Sequence, residues 1–157
     1  MKNPKPDRKI SSDAKEDDAA LTETGQDRAA SLLRERGINP TPQRVIIAEH
    51  LLLRPRHICV DELRRILDDQ DAKVSKATIY NTLGLFVGKG LLRKVLVDRS
   101  RVFYDSNTSD HDHFHDVESG LLIDIDPETI RIEGLPELPP GTVIDGIETV
   151  IRLRRVS

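Results

Sequence analysis

The sequence predicts an α+β chain in which a helical front part gives way to a strand-rich back part. Three observations carry this. Apolar residues between 26 and 88 recur at the three- and four-residue spacing of helices, those after 90 fall into short or alternating runs, and formal charge changes sign between the two parts. Residues 25–104 hold 15 Lys and Arg against 9 Asp and Glu, whereas residues 105–157 hold 4 against 12.

Residues 1–24 carry only Ile10 and Leu21 as large apolar groups. Too little burial is available there to offset the entropy of ordering the chain, so a disordered tail is expected. A first helix follows from Gln26 to Arg36, with Ala29, Leu32 and Leu33 on one stripe and Gly37 placed to end it. Thr41 is suited to cap a second helix and Pro42 to open it, and Val45, Ile46, Ala48, Leu52 and Leu53 give its apolar positions before Pro55. A third helix is expected from about Val60 to Leu67, with Asp61 and Glu62 in the first turn, where carboxylates suit the helix dipole. Ser75 caps a fourth, in which Ile79, Leu83 and Phe86 line one face until Gly88, Lys89 and Gly90 break it.

Two strands, Leu91 to Val97 and Arg101 to Asp105, then form a hairpin with a basic tip. Helices followed by such a hairpin give the order of a winged helix-turn-helix, here over residues 25–104. In residues 105–157, His113 to Glu118 and Leu121 to Ile125 can pair across Ser119 and Gly120. A last strand ends the stretch Val143 to Leu153, and the Pro- and Gly-rich stretch 133–141 cannot be a regular helix. A three-stranded sheet of this size exposes an apolar face that a second copy would cover, so a homodimer is expected.

Composition narrows the function. A chain of 157 residues suits one domain or two small ones. Its single cysteine, Cys59, excludes an intramolecular disulfide and a zinc site built from several thiolates. No apolar run approaches the roughly 20 residues that span a bilayer, and Met1 to Asp18 lacks the apolar core of a secretory signal. The expectation is a cytoplasmic protein with no membrane partner.

Basic charge gathered in one part of an otherwise acidic chain points to a polyanion, here double-stranded DNA. In a helix-turn-helix the second helix enters the major groove with its N-terminal residues toward base edges. Lys76, Ala77, Tyr80 and Asn81 stand at that end of the fourth helix, and Arg44, Arg99 and Arg101 are placed to meet phosphates. Three of five histidines, His111, His113 and His115, fall between Asp110 and Asp116. Alternate residues of a strand share a face, so His111 and His113 can converge on one ion while Asp112 looks away. Imidazoles with carboxylates suit iron, manganese or zinc.

The strings Gly37-Ile-Asn-Pro-Thr-Pro-Gln-Arg44, His57-Ile-Cys-Val-Asp-Glu-Leu63, Val74-Ser-Lys-Ala-Thr-Ile-Tyr-Asn-Thr-Leu83, Gly90-Leu-Leu92 and His111-Asp-His113 resemble the ferric uptake regulator family, over roughly residues 28–125. The resemblance implies a dimeric, metal-responsive transcription regulator with a winged-helix domain and a small α/β dimerisation domain. Gly134-Leu-Pro-Glu-Leu-Pro-Pro-Gly141 and Val150-Ile-Arg-Leu-Arg-Arg155 look most like the iron response regulator branch, whose members sense haem and control haem synthesis and iron uptake genes.

By the same resemblance His57, in the loop before the third helix, His111, His113 and Asp124 match regulatory metal ligands, with Fe²⁺, Mn²⁺ or Zn²⁺ as the divalent metal. His111 or His113 would be the axial ligand if haem is bound. A Glu ligand at the end of the wing corresponds to Tyr104 with Asp105 adjacent, so either substitutes or the site loses a ligand. The family's paired Cys-x-x-Cys motifs have no counterpart, Asp116 and Ser119 standing at the first pair, so a structural zinc is expected to be absent. Cys59 is not followed by Pro and so forms no Cys-Pro haem motif; it and His50 are read as structural.

The leading function is therefore an iron- or haem-responsive repressor or dual regulator, with a divalent-metal sensor lacking a haem response as the alternative. A metal-hydrolase reading of His111, Asp112, His113 and Asp116 needs a general base, an open coordination position and a substrate pocket, for which so small a domain has little room. A winged-helix module that binds protein instead of DNA is the remaining reading.

Overall fold

The computed structural model describes residues 23–54, 56–98 and 101–156. The expected tail up to residue 22 and the wing-tip Arg99 lie outside the described residues.

Four helices come first: α1 (Gly25–Glu35), α2 (Pro42–Leu52), α3 (Val60–Asp69) and α4 (Lys76–Gly88). Their ends follow from local chemistry. Thr24, counted above with the tail, instead caps α1, its side chain accepting from the Asp27 N–H while the Asp27 carboxylate accepts from the Thr24 N–H. Thr41 accepts from the Arg44 N–H ahead of Pro42, and Ser75 from the Thr78 N–H. Gly37 and Gly90 take the left-handed φ of 67° that ends α1 and α4 cheaply only for glycine. Cys59 stands at the start of α3 without a side-chain cap bond.

The four helices close on one apolar core that includes Leu33, Ile47, Leu63, Ile79, Leu83 and Phe86, each fully buried. His50 reaches Gln70 at 2.9 Å, joining α2 to the end of α3.

The helical part carries an antiparallel sheet in the order β1-β3-β2, from β1 (His57–Ile58), β2 (Arg93–Leu96) and β3 (Val102–Asp105). Two expectations change here. His57 lies in a strand rather than a loop, because the open edge of β3 offers its backbone partners, with His57 opposite Asp105. The first wing strand is shorter than expected because Leu91 and Leu92 turn into the helical core.

The back part is a second sheet, ordered β5-β4-β6, from β4 (Asp112–Asp116), β5 (Leu122–Ile125) and β6 (Val150–Leu153). β4 and β5 form the expected hairpin, starting at Asp112 rather than His113, and β6 runs parallel to β4. Among the described residues no helix follows Gly88, and no helix is long and apolar enough to cross a membrane. Leu121, Ile123, Ile151 and Leu153 remain substantially exposed.

Candidate metal centre

Each strand brings one face of its side chains to the junction of the two sheets. Residue alternation in β3 sends Tyr104 into the helical core and Asp105 to the opposite side. Tyr104 is thereby removed as a substitute ligand and Asp105 is presented instead. His57 reaches the same place from β1, His111 and His113 from the start of β4, and Asp124 from β5, where it pairs with His113. Asp112 faces away and accepts from the Thr149 N–H at 2.8 Å.

These five residues offer one ligating atom each, all within 4.8 Å of one another. His57 Nε2 lies 2.7 Å from Asp124 Oδ1 and 3.5 Å from Asp105 Oδ2. His111 Nε2 stands 3.0 Å and His113 Nε2 3.5 Å from Asp105 Oδ2. The three Nε2 atoms and Asp105 Oδ2 are nevertheless buried without a hydrogen-bond partner. They are close, yet they face a common point instead of each other. The side chains of His111, His113 and Asp105 are 3%, 0% and 1% exposed, so water does not compensate them.

The outward atoms of Asp105, Asp124 and His111 are occupied, whereas His113 Nδ1 is buried without a partner. The Asn107 N–H donates to Asp105 Oδ1 at 2.8 Å, and Asn107 Nδ2 donates to Asp124 Oδ2 at 3.2 Å. His111 Nδ1 donates to the Ser109 carbonyl at 2.8 Å, a tautomer that leaves the Nε2 lone pair directed inward. Neither Asn107 nor Ser109 was singled out from the sequence. The usable signal was the Asp105-Ser-Asn-Thr-Ser109 run, whose short polar side chains favour turns that bond their own backbone.

Burial raises the Asp105 carboxyl, but the imidazoles of His113 and His57 and the Asn107 amide lower it by more, leaving it well below the usual carboxylate range. For His57, burial disfavours the charged ring, yet Asp105 and Asp124 outweigh it and raise its pKa. Converging buried lone pairs and a held carboxylate are costly alone and are compensated by a cation that accepts from all of them. Three imidazole nitrogens and two carboxylate oxygens thus fit a divalent metal ion.

The residues expected on the DNA side lie elsewhere. Ala77, Tyr80 and Asn81 are exposed on α4, and Arg101 is exposed on the hairpin. Lys76 Nζ is 3.1 Å from Asp61 Oδ1, and Arg44 Nη1 donates to the Asn39 carbonyl at 3.0 Å. His115 is buried beside Phe103, with ring centroids 6.4 Å apart and both ring nitrogens unpartnered.

Known proteins agree with this architecture. The sequence profile of the ferric uptake regulator family matches residues 35–135. The peroxide-responsive repressor PerR of Staphylococcus aureus strain Mu50 is 33% identical over 106 residues, covering 67% of this chain and 72% of that protein. A zinc-bound manganese uptake regulator superposes with a TM-score of 0.60 at 25% identity, covering 82% of this chain and 98% of the other. The ferric uptake regulator of Pseudomonas aeruginosa, solved with manganese, shares the fold at a TM-score of 0.59 and 23% identity, with the same coverage of 82% and 98%. On its motifs, its architecture and this match, the chain belongs to the ferric uptake regulator family, whose members are metal-responsive transcription regulators.

Proposed function

We propose that this chain is a homodimeric transcription regulator whose hold on a near-palindromic operator is set by a divalent cation held between its two parts. The observation that carries the reading is the inward convergence of His57, Asp105, His111, His113 and Asp124 within 4.8 Å. Five nitrogen and oxygen donors exceed the four of a closed zinc site and include no thiolate, which favours Fe²⁺ or Mn²⁺ over Zn²⁺. Iron supply is the signal assigned here.

A bound cation supplies concentrated positive charge and directional bonds at one point. The rest is done by the chain. His57 and Asp105 stand on the sheet of the winged part, whereas Asp124 stands on the back sheet and His111 and His113 lead into it. Holding all five at once fixes the angle between the parts. In a dimer joined through the apolar face of Leu121, Ile123, Ile151 and Leu153, that angle sets the separation of the two α4 helices. Half-sites lie roughly 34 Å apart along the duplex, so only some angles place both helices in the major groove. Lys76, Ala77, Tyr80 and Asn81 would then read the operator, with Arg44, Arg99 and Arg101 on phosphates.

The haem reading has less support. His111 and His113 are enclosed and turn Nε2 inward to the point that Asp105 also faces, so an axial bond to a macrocycle requires the centre to open. A cleft of about 860 Å³ lies instead between α3, Tyr80 and the wing, and none of the five residues lines it.

Operator binding of purified protein, titrated in parallel without metal and with Mn²⁺, Fe²⁺, Zn²⁺ and haem, tests the proposal. A divalent cation is expected to change affinity at least about tenfold, equivalent to about 1.4 kcal/mol. The double change His111→Ala and His113→Ala should remove that change while far-UV circular dichroism stays the same. Tyr80→Ala with Asn81→Ala should weaken binding equally with and without the cation. A response to haem alone would reverse the choice of ligand, and failure to bind DNA at low salt under every condition would overturn the reading.

A further inference from the structure

We infer that Arg93 and Glu148 are positioning residues that tie the wing to the ligand-bearing linker, so that cation binding and the set of the wing are felt as one event. This rests on the metal reading above. Arg93 opens β2, directly opposite the ligand Asp105 on β3. Its guanidinium leaves the wing sheet and crosses to the linker, where Nη1 donates to the Ser109 carbonyl at 2.7 Å and Nη2 to the His111 carbonyl at 3.2 Å. Ser109 is the residue whose carbonyl also orients the His111 ring. Nη2 further meets Glu148 Oε1 at 2.5 Å.

Glu148 is followed by Thr149, and Thr149 is bound on both sides to the strand of ligands. Its N–H donates to Asp112 Oδ1 at 2.8 Å, and its carbonyl accepts from the His113 N–H at 3.0 Å. The path from Arg93 through Glu148 and Thr149 to His113 therefore closes a ring of contacts around the centre. It touches the backbone of His111 and His113 and bonds with neither ligating atom. The Arg fork matters, since it engages two carbonyls and a carboxylate at once; an ammonium has no such planar geometry. At the far end of β2, Arg152 Nη2 donates to the Val97 carbonyl at 2.9 Å, a second tether between β6 and the wing with no ligand in its path.

A salt bridge of this partial exposure is worth little to global stability. Its expected effect is on coupling. The test uses the full-length protein and Co²⁺ as a spectroscopic probe, together with operator affinity measured with and without Mn²⁺. Glu148→Ala should still take up Co²⁺ in the wild-type stoichiometry, but with a changed visible absorption. Its ratio of affinities with and without Mn²⁺ should fall at least fivefold. Glu148→Gln keeps an acceptor oxygen for the guanidinium and should recover most of that ratio. Arg152→Ala should leave the Co²⁺ spectrum unchanged.

If wild-type protein responds to metal and Glu148→Ala keeps both its spectrum and its ratio within twofold, the coupling role is overturned, even if the melting temperature falls. Wild-type protein that takes up no Co²⁺ would overturn the metal reading, and this inference with it.

Discussion

Between Gly25 and Leu92 the interior is filled by side chains such as Leu33, Ile47, Leu63, Leu83 and Phe86, whereas around the junction the most enclosed groups include Asp105, His111, His113 and His115. Both sets are close to fully buried, yet they are held by different forces. Apolar burial in the helical part is favourable without any ligand. At the junction, burial of unpartnered nitrogen and oxygen atoms is unfavourable until something accepts their lone pairs. The front part is thus a permanent scaffold and the junction a conditional one, which is the distribution a sensor needs. The back sheet is conditional in a second way, since Leu121, just before β5, and Ile123 within it stay 60% and 49% exposed without a partner.

Changes of matched severity in the two regions separate these forces. The largest effect is expected at Leu83→Ala, where the cavity should cost about 2–5 kcal/mol in urea unfolding. That loss should be the same with and without Mn²⁺. At His113→Leu the opposite pattern is expected: the loss depends on metal, because the ring removed is a ligand. The stabilisation that Mn²⁺ confers, about 2.7 kcal/mol at a hundredfold excess over Kd, should then vanish. Equal losses with and without metal at both positions would erase the distinction.

Ile123→Asp should leave the helical part folded and shift sedimentation from dimer to monomer, because a charge on an otherwise covered apolar face is costly only in the assembly. The smallest effect is expected at Ser75→Ala, about 1 kcal/mol from the lost cap of α4, seen as a lower urea midpoint in either metal state.

The helix ends were legible in the sequence because capping is local: Thr41 with Pro42, Ser75 and Gly37 each act within a few residues of the element they bound. Convergence of His111 and His113 was legible for a similar reason, since two-residue alternation brings them to one side. The choice between Tyr104 and Asp105 was not. A four-residue strand carries too little pattern to fix which face is apolar, and packing of Tyr104 against the helical core decided it. Arg93 was equally silent, since the fold alone brings Ser109, His111 and Glu148 to it.

By itself the sequence determined the α+β class, the helix caps at Thr41 and Ser75, the reversal of charge and the residue types able to ligate a cation. All of these depend on neighbours a few positions away. Tertiary structure alone decided that His57 pairs with Asp105 across β1 and β3, that Asp124 stands beside His113, and that β6 lies parallel to β4. Strand pairing joins residues up to 48 positions apart along the chain, as for His57 and Asp105, and its register depends on how whole faces pack, which no short window of sequence contains.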